Sequence, residues 1–201
     1  MKQNLDTFFS FLKPAEPILK EFSNLVLKWQ KSVNLISPST IGQIWERHIL
    51  DSAQLYPYIP SGAKILVDIG SGAGFPGIII AILNKYLNGN LEKIILVESD
   101  KKKCIFLMES VRILDLQVEI INDRVEKIDN ISCDVLTARA LADVATLLKW
   151  SEKIVSRETI CLFLKGVSVK SELTGLSDQF DVQLFPSKID PSGFILKIGS
   201  K

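Results

Sequence analysis

From residue 64 onward, short apolar runs alternate with stretches of helical periodicity. The runs 65–69, 94–97, 118–121, 134–138, 159–164, 182–185 and 194–198 predict seven strands, and 74–86, 101–114 and 141–150 predict the helices between them. Residues 101–114 carry Ile105, Leu107, Met108, Val111 and Leu114 on one side, as a helix lying on a sheet does. Alternation of this kind implies an α/β fold with a mostly parallel sheet covered on both faces. Between the last two strands the chain from Pro186 to Gly193 is too short for a helix. Those strands therefore predict an antiparallel hairpin at one edge.

Residues 1–60 are patterned differently. Ile18, Leu19, Phe22, Leu25, Val26 and Trp29 recur at helical spacing within 14–31, and Ile44, Trp45, Ile49 and Leu55 do so within 41–56. Ser37-Pro38-Ser39-Thr40 supplies the break and a cap. We expect residues 1–60 to be a helical extension packed on the core, and residues 61–201 to be a single folding unit.

At 201 residues, 47% hydrophobic and 23% charged, the chain has an ordinary globular profile. No apolar run approaches the roughly 20 residues of a membrane helix. The stretch MKQNLDTFFSFLKPAEP lacks a long apolar centre and a small-residue cleavage site, so a cytoplasmic location is expected. Cys104, Cys133 and Cys161 are scattered, with no C-x-x-C spacing, and there is a single histidine. No metal site is expected, and the cysteines read as buried apolar residues of a reducing compartment. The net charge of +1 neither demands nor excludes a polyanion, so any nucleic-acid surface must be a local patch. We expect a monomer that does not associate with membranes.

The densest chemistry lies in Asp68-Ile69-Gly70-Ser71-Gly72-Ala73-Gly74-Phe75-Pro76-Gly77, between an apolar strand and an apolar helix. Glycines here let the backbone turn sharply and let a ligand approach with no Cβ in the way. Such a strand–loop–helix unit is where a doubly wound sheet holds a nucleotide-like cofactor. Residues 72–77 fit the dinucleotide fingerprint G-x-G-x-x-G, but Pro76 has no N–H to offer a pyrophosphate. Asp68 would repel a pyrophosphate and suit a cationic amino-acid end, such as that of S-adenosylmethionine. A plain turn with a solvated acid is the alternative.

Glu98 ends the second strand, about 20–30 residues past the glycine loop, where a carboxylate can accept both ribose hydroxyls of an adenosine. Ser99 and Asp100 suit a cap for the next helix. Asp123-Arg124-Val125-Glu126 follows the third strand, where backbone N–H groups can read an adenine edge; a surface turn would look the same. Arg139 follows the fourth strand, where a fixed guanidinium fork can hold a carboxylate or a phosphate. His48 lies in Trp45-Glu46-Arg47-His48-Ile49-Leu50-Asp51-Ser52, and Arg47 and Asp51 are one helical turn apart, as an intrahelical ion pair would be. Arg139 and His48 are the candidates for a catalytic role. Lys101, Lys102 and Lys103 open a helix, where cations are unfavourable, which hints at an anionic partner. Lys165 ends the fifth strand and is a further candidate RNA contact. Solvated lysines are the ordinary alternative for all four.

Taken together, the blocks Asn34-Leu35-Ile36-Ser37, Arg47-His48-Ile49-Leu50-Asp51-Ser52, Asp68 to Gly77, Glu98-Ser99, Arg124-Val125-Glu126, Thr137-Ala138-Arg139-Ala140 and Leu164-Lys165-Gly166 resemble one family. It is the bacterial 16S ribosomal RNA guanine-N7 methyltransferases, once called glucose-inhibited division protein B. The resemblance runs from about residue 34 to 166. The glycine loop alone says only "methyltransferase"; the Arg47–Ser52 block together with Gly-Phe-Pro-Gly is far more specific. The resemblance implies a Rossmann-like class I S-adenosylmethionine-dependent methyltransferase fold: a seven-stranded, mostly parallel sheet, an antiparallel C-terminal edge hairpin and an N-terminal helical extension. By resemblance Gly70, Phe75, Val125, Glu126 and Arg139 fall on cofactor positions and Glu98 on the ribose-acid position. Asp68 and Gly72 join them from the loop reading.

The implied partner is 16S rRNA or the small ribosomal subunit. Arg47, Arg139, Lys101, Lys102, Lys103 and Lys165 are the available phosphate contacts. Guanine N7 carries an exposed lone pair, so no general base is needed, and none is evident. The absence of Asn-Pro-Pro-Tyr argues against exocyclic-amine methylation, and the absence of Pro-Cys against cytosine-C5 chemistry. The region after Lys170 matches the family only loosely. Methylation of another substrate, a binding module without catalysis, and an NAD oxidoreductase are the rival readings.

Overall fold

The computed structural model describes residues 7–174 and 176–201; residues 1–6 of the expected extension lie outside the described residues. Among the described residues, β1 (Ile65–Ile69), β2 (Lys93–Val97), β3 (Glu119–Ile121), β4 (Val135–Arg139), β5 (Ile160–Lys165), β6 (Phe180–Pro186) and β7 (Phe194–Ser200) form one sheet. The order is β3-β2-β1-β4-β5-β7-β6. Pairing is parallel from β3 to β5, and β7 runs antiparallel to both β5 and β6. The expected sheet and edge hairpin are therefore present. Strand order reverses between β1 and β4, so a crevice opens at the carboxyl ends of these strands, the usual ligand position in open α/β sheets.

The helices are α1 (Glu16–Trp29), α2 (Gly77–Tyr86), α3 (Lys101–Ile113), α4 (Val144–Trp150) and α5 (Val169–Glu172). β1 shows why the sheet is buried on both faces. Leu66 points into a cluster with Phe22 of α1, Ile49, Ile78 and Phe106, whereas Val67 and Ile69 point into another with Val97, Leu136, Val144 and Phe163. Residues N-terminal to β1 thus share a continuous core with α2 and α3.

Three local expectations differ from the structure. The helix expected over 74–86 starts at Gly77, because 71–76 is spent on the glycine turn and Pro76 occupies the N-cap. The helix expected from Leu141 starts at Val144, where the Asp143 carboxylate accepts from Thr146 N at 2.9 Å. The helix expected over 41–56 is a 3-10 segment (Pro38–Gln43), a π-helix (Trp45–Leu50) and one α-helical turn (Asp51–Ala53). In the π segment Asp51 N donates to Glu46 O, one residue wider than an α-helical bond. Such turns recur at functional sites, because the extra residue re-aims side chains.

Candidate functional site

Gly70 (φ +62°) and Gly72 (φ +57°) take the chain out of β1 through the left-handed region, which branched side chains adopt only with strain. Ser71 N donates to Val97 O at 3.1 Å and its hydroxyl to Asp68 O at 2.9 Å, tying the loop to two strands. Glu98 fixes it from the side: Oε2 accepts from Gly72 N and Oε1 from Asp100 N, both at 2.8 Å. A carboxylate has about four acceptor positions, so Glu98 keeps a lone pair on each oxygen for a ligand. Asp100 caps α3 by accepting from Lys102 N and Lys103 N, as expected.

These elements wall a cleft of about 290 Å³ at the carboxyl ends of β1, β2 and β4. It brings together Gly70, Gly72, Glu98, Val125, Glu126 and Arg139 of the expected set. It also adds Lys103, Asp123, Leu141 and Trp150, which the sequence did not single out as ligand contacts. A second cavity of about 310 Å³ adjoins it, sharing Arg139 and Ala140. Thr40, Arg47, His48 and Asp51 line it from the helical layer, Leu164 and Lys165 from β5, and Asp190 and Phe194 from the C-terminal hairpin. A larger cavity, about 640 Å³, lies by Thr159, Cys161 and Ile198, at the opposite end of the sheet, and holds none of these groups.

Arg139 is the hub between the two. Nη1 donates to Arg47 O at 3.1 Å, Nη2 to His48 Nδ1 at 2.8 Å, and the guanidinium lies 5.0 Å from the centre of the Phe75 ring. Burial pulls its pKa down and the nearby Asp51 and Asp68 push it back up; it stays charged. His48 Nε2 lies 2.8 Å from Thr40 Oγ1, whose hydroxyl donates to Ser37 O at 2.8 Å. Arginine can only donate, so Nδ1 must accept and Nε2 must carry the proton. The chain Arg139 to His48 to Thr40 to Ser37 is consistent in every donor and acceptor.

That chain requires a neutral imidazole. Burial, then Arg139 and Arg47, lower the His48 pKa from 6.5 to about 3. The folded value lies below the unfolded one, so this group's contribution to stability is present above about pH 6.5 and is lost as pH falls toward 3. His48 is the single histidine of the chain, so proton NMR can follow it alone. Its ring signals are expected to stay constant from pH 8 to pH 5; a midpoint near 6.5 would show that the chain is not formed.

Several expected contacts are corrected. Asp68 does not face the cleft: it is fully buried, with Oδ1 accepting from the Thr137 hydroxyl at 2.7 Å and Oδ2 from Gly77 N at 3.3 Å. It ties the glycine turn to β4 from beneath. The Phe75 ring does not enter the cleft either. It is buried against Phe22 and the His48 ring, 5.1 Å away, and acts through Arg139. Lys165 is not free for a phosphate, because its ammonium is buried between Glu172 (2.7 Å) and Ala142 O (2.7 Å). Arg47 pairs with Asp190 at 2.8 Å and not with Asp51; the wider π turn and the hairpin account for that exchange. Lys101 and Lys102 are exposed and away from both cavities.

Burial raises the Asp68 pKa from 3.8 to about 6, against the hydrogen bonds from Ser71, Thr137 and Gly77. Here the folded value exceeds the unfolded one. The stability of the neutral form is complete below about pH 4 and is lost as pH rises through 6. Asp68→Asn is expected to remove that dependence. Relative to the variant, the wild type loses on the order of 3 kcal/mol between pH 4 and pH 7 in denaturant unfolding. Parallel pH curves for the two proteins would place the ionised carboxylate in the native state throughout.

Thr40, Asp51 and Asp190 were not read from the sequence as members of a site. Asp190 meets Arg47 across 143 positions of chain, which no local pattern signals. Among the described residues no group of three or more His, Cys, Asp and Glu is arranged to hold a metal, and no helix is long and apolar enough to cross a membrane.

A family model described as rRNA small subunit methyltransferase G matches residues 15–191. Proteins of that name resemble the chain closely. One from Paramagnetospirillum magneticum is 41% identical over 182 residues, covering 90% of this chain and 86% of the relative. One from Rickettsia prowazekii is 43% identical over 184 residues, covering 90% and 92%. Among solved structures, an O-methyltransferase from Bacillus cereus in complex with SAH superposes with a TM-score of 0.63 at 15% identity, covering 98% of this chain and 97% of that one. The SAH-bound methyltransferase PaMTH1 of Podospora anserina gives 0.62 at 14% identity, covering 92% and 88%.

Proposed function

The chain belongs to the rRNA small subunit methyltransferase G family, and from that premise we propose that it transfers a methyl group from S-adenosylmethionine to N7 of one guanine in 16S rRNA. One observation carries the reading. A nucleotide-sized cleft at the switch point of the sheet opens, across Arg139 and Ala140, onto a second polar cavity. Cofactor and target base can then meet at that shared wall.

The cleft suits S-adenosylmethionine. A side chain at Gly72 would project into open space, with only Gly70 O at 3.8 Å, so the backbone there is bare to a ligand. The remaining lone pairs of Glu98 suit two ribose hydroxyls, and the backbone of Val125 and Glu126 suits an adenine edge. When bound, the cofactor supplies an electrophilic methyl group on a sulfonium. The protein's part is orientation. Arg139 is locked by His48 and Arg47 O, so its remaining N–H groups point from a fixed place. A neutral His48 with both nitrogens engaged is not a base, which fits an acceptor atom that already carries its lone pair. We further propose that residues 61–201 form the methyltransferase unit, with residues 1–60 an extension on it, and that the protein works in the cytoplasm as a monomer.

The test is transfer of radiolabelled methyl to 16S rRNA, free and in the small subunit, followed by mapping of the modified nucleotide. A single N7-methylguanine is expected. Absence of transfer to every rRNA form, or modification of another atom, would overturn this reading.

A further inference from the structure

The second cavity has a polarity that selects a base. Asp51 lines it, with Oδ1 accepting from Gln54 Nε2 at 2.8 Å. Oδ2 lies 3.7 Å from Arg139 Nη1, an ion pair too long for a hydrogen bond, and among the described residues no hydrogen bond to that oxygen is seen. A free acceptor and a donor with spare N–H groups thus sit side by side in a half-buried wall. Two loops close around them. Arg47 of the π segment pairs with Asp190 of the hairpin, and Gln54 also donates to Ser187 Oγ at 3.0 Å while its Oε1 accepts from Lys188 N at 2.9 Å.

We propose that this cavity seats the target guanine, turned out of the RNA, with Asp51 as the residue that reads it. The inference rests on the function proposed above. Guanine presents O6, an acceptor, directly beside N1–H, a donor. Arg139 beside Asp51 is the complementary pair: the guanidinium faces O6 and Asp51 Oδ2 accepts from N1–H, with the N2 amino group as its neighbour. Adenine carries a bare lone pair at N1, and a carboxylate there repels it. N7 lies on the O6 side of the purine, so a base held in this way turns N7 toward Arg139 and Ala140, the wall shared with the cofactor cleft. An unpaired or flipped base is required, since a stacked one cannot present this edge to a cavity.

The test compares two RNAs and two proteins. Small-subunit rRNA is prepared with guanine, or with 2-aminopurine, at the position the wild type methylates. 2-Aminopurine keeps N7 and the N2 amino group but loses O6 and N1–H. The wild type is expected to prefer guanine by about 10- to 100-fold in kcat/KM, the scale of one hydrogen bond to a charged group. Asp51→Asn, whose amide donates as well as accepts, is expected to reduce that preference to a few-fold or invert it, with unchanged S-adenosylmethionine affinity in calorimetry. An unaltered preference in Asp51→Asn overturns the proposal. So does a wild type that accepts both bases equally, a measurement that does not depend on how well the variant folds. A wild type inactive on guanine RNA would instead defeat the functional reading beneath it.

Discussion

Replacing Arg139 with alanine is expected to lower methyl transfer by about 100- to 1000-fold. The magnitude follows from removing one partner of a buried charged cluster, about 3–5 kcal/mol. Arg139 is hydrogen-bonded to His48 and to Arg47 O, lies over Phe75, and alone among the charged residues lines both cavities. Its loss also strands His48 Nδ1 and leaves Asp51 without its cation, so some stability falls as well, on the order of 1–3 kcal/mol. The two effects separate by temperature. Well below the unfolding midpoint, the variant is folded and the transfer defect persists. Arg139→Lys keeps the charge but not the fork, and is expected to recover stability more than activity. A rate loss that tracks the unfolded fraction would reduce Arg139 to a structural residue.

Gly72→Val is the second large effect. It is expected to weaken S-adenosylmethionine binding by more than about 100-fold while costing roughly 1–3 kcal/mol of stability, the range for strained backbone at a single residue. The small structural cost has a visible reason. A Cβ at Gly72 meets nothing nearer than Gly70 O at 3.8 Å, so a branched side chain fills the cleft rather than the core. Gly70 is the contrast. A Cβ there comes within 2.5 Å of Leu141, so Gly70→Val loses binding and core packing together. Calorimetry with both variants, alongside thermal unfolding, checks the pair. Undiminished affinity in Gly72→Val would move the cofactor away from this loop.

Much of this site was legible because its signals are local. The glycine turn, the acid ending β2 and the arginine ending β4 are each marked by a few adjacent residues in a fixed strand-end position. Glu98 shows the limit of such signals. Its place at the end of β2 is readable, but its grip on Gly72 N and Asp100 N joins separate segments and is not. Asp68 and Phe75 show a sharper limit. Both sit in the right motif, yet both are buried beneath the loop they were expected to work from. A motif places a residue along the chain; packing decides which way its side chain faces.

The same division holds for the whole protein. By itself the sequence determined the alternation of strands and helices, the antiparallel edge, the cofactor loop and, through the Arg47–Ser52 block, the family. These follow from periodicity and short-range backbone chemistry, which act over a few residues. Only the tertiary structure decided that His48 is neutral and locked between Arg139 and Thr40, that Arg47 pairs with the distant Asp190, that Lys165 is spent on Glu172, and that Asp51 is left with a free acceptor. Protonation, pairing and the reach of a charge depend on distance and burial in space. Those are fixed only when the helical layer, the sheet and the hairpin close on one another.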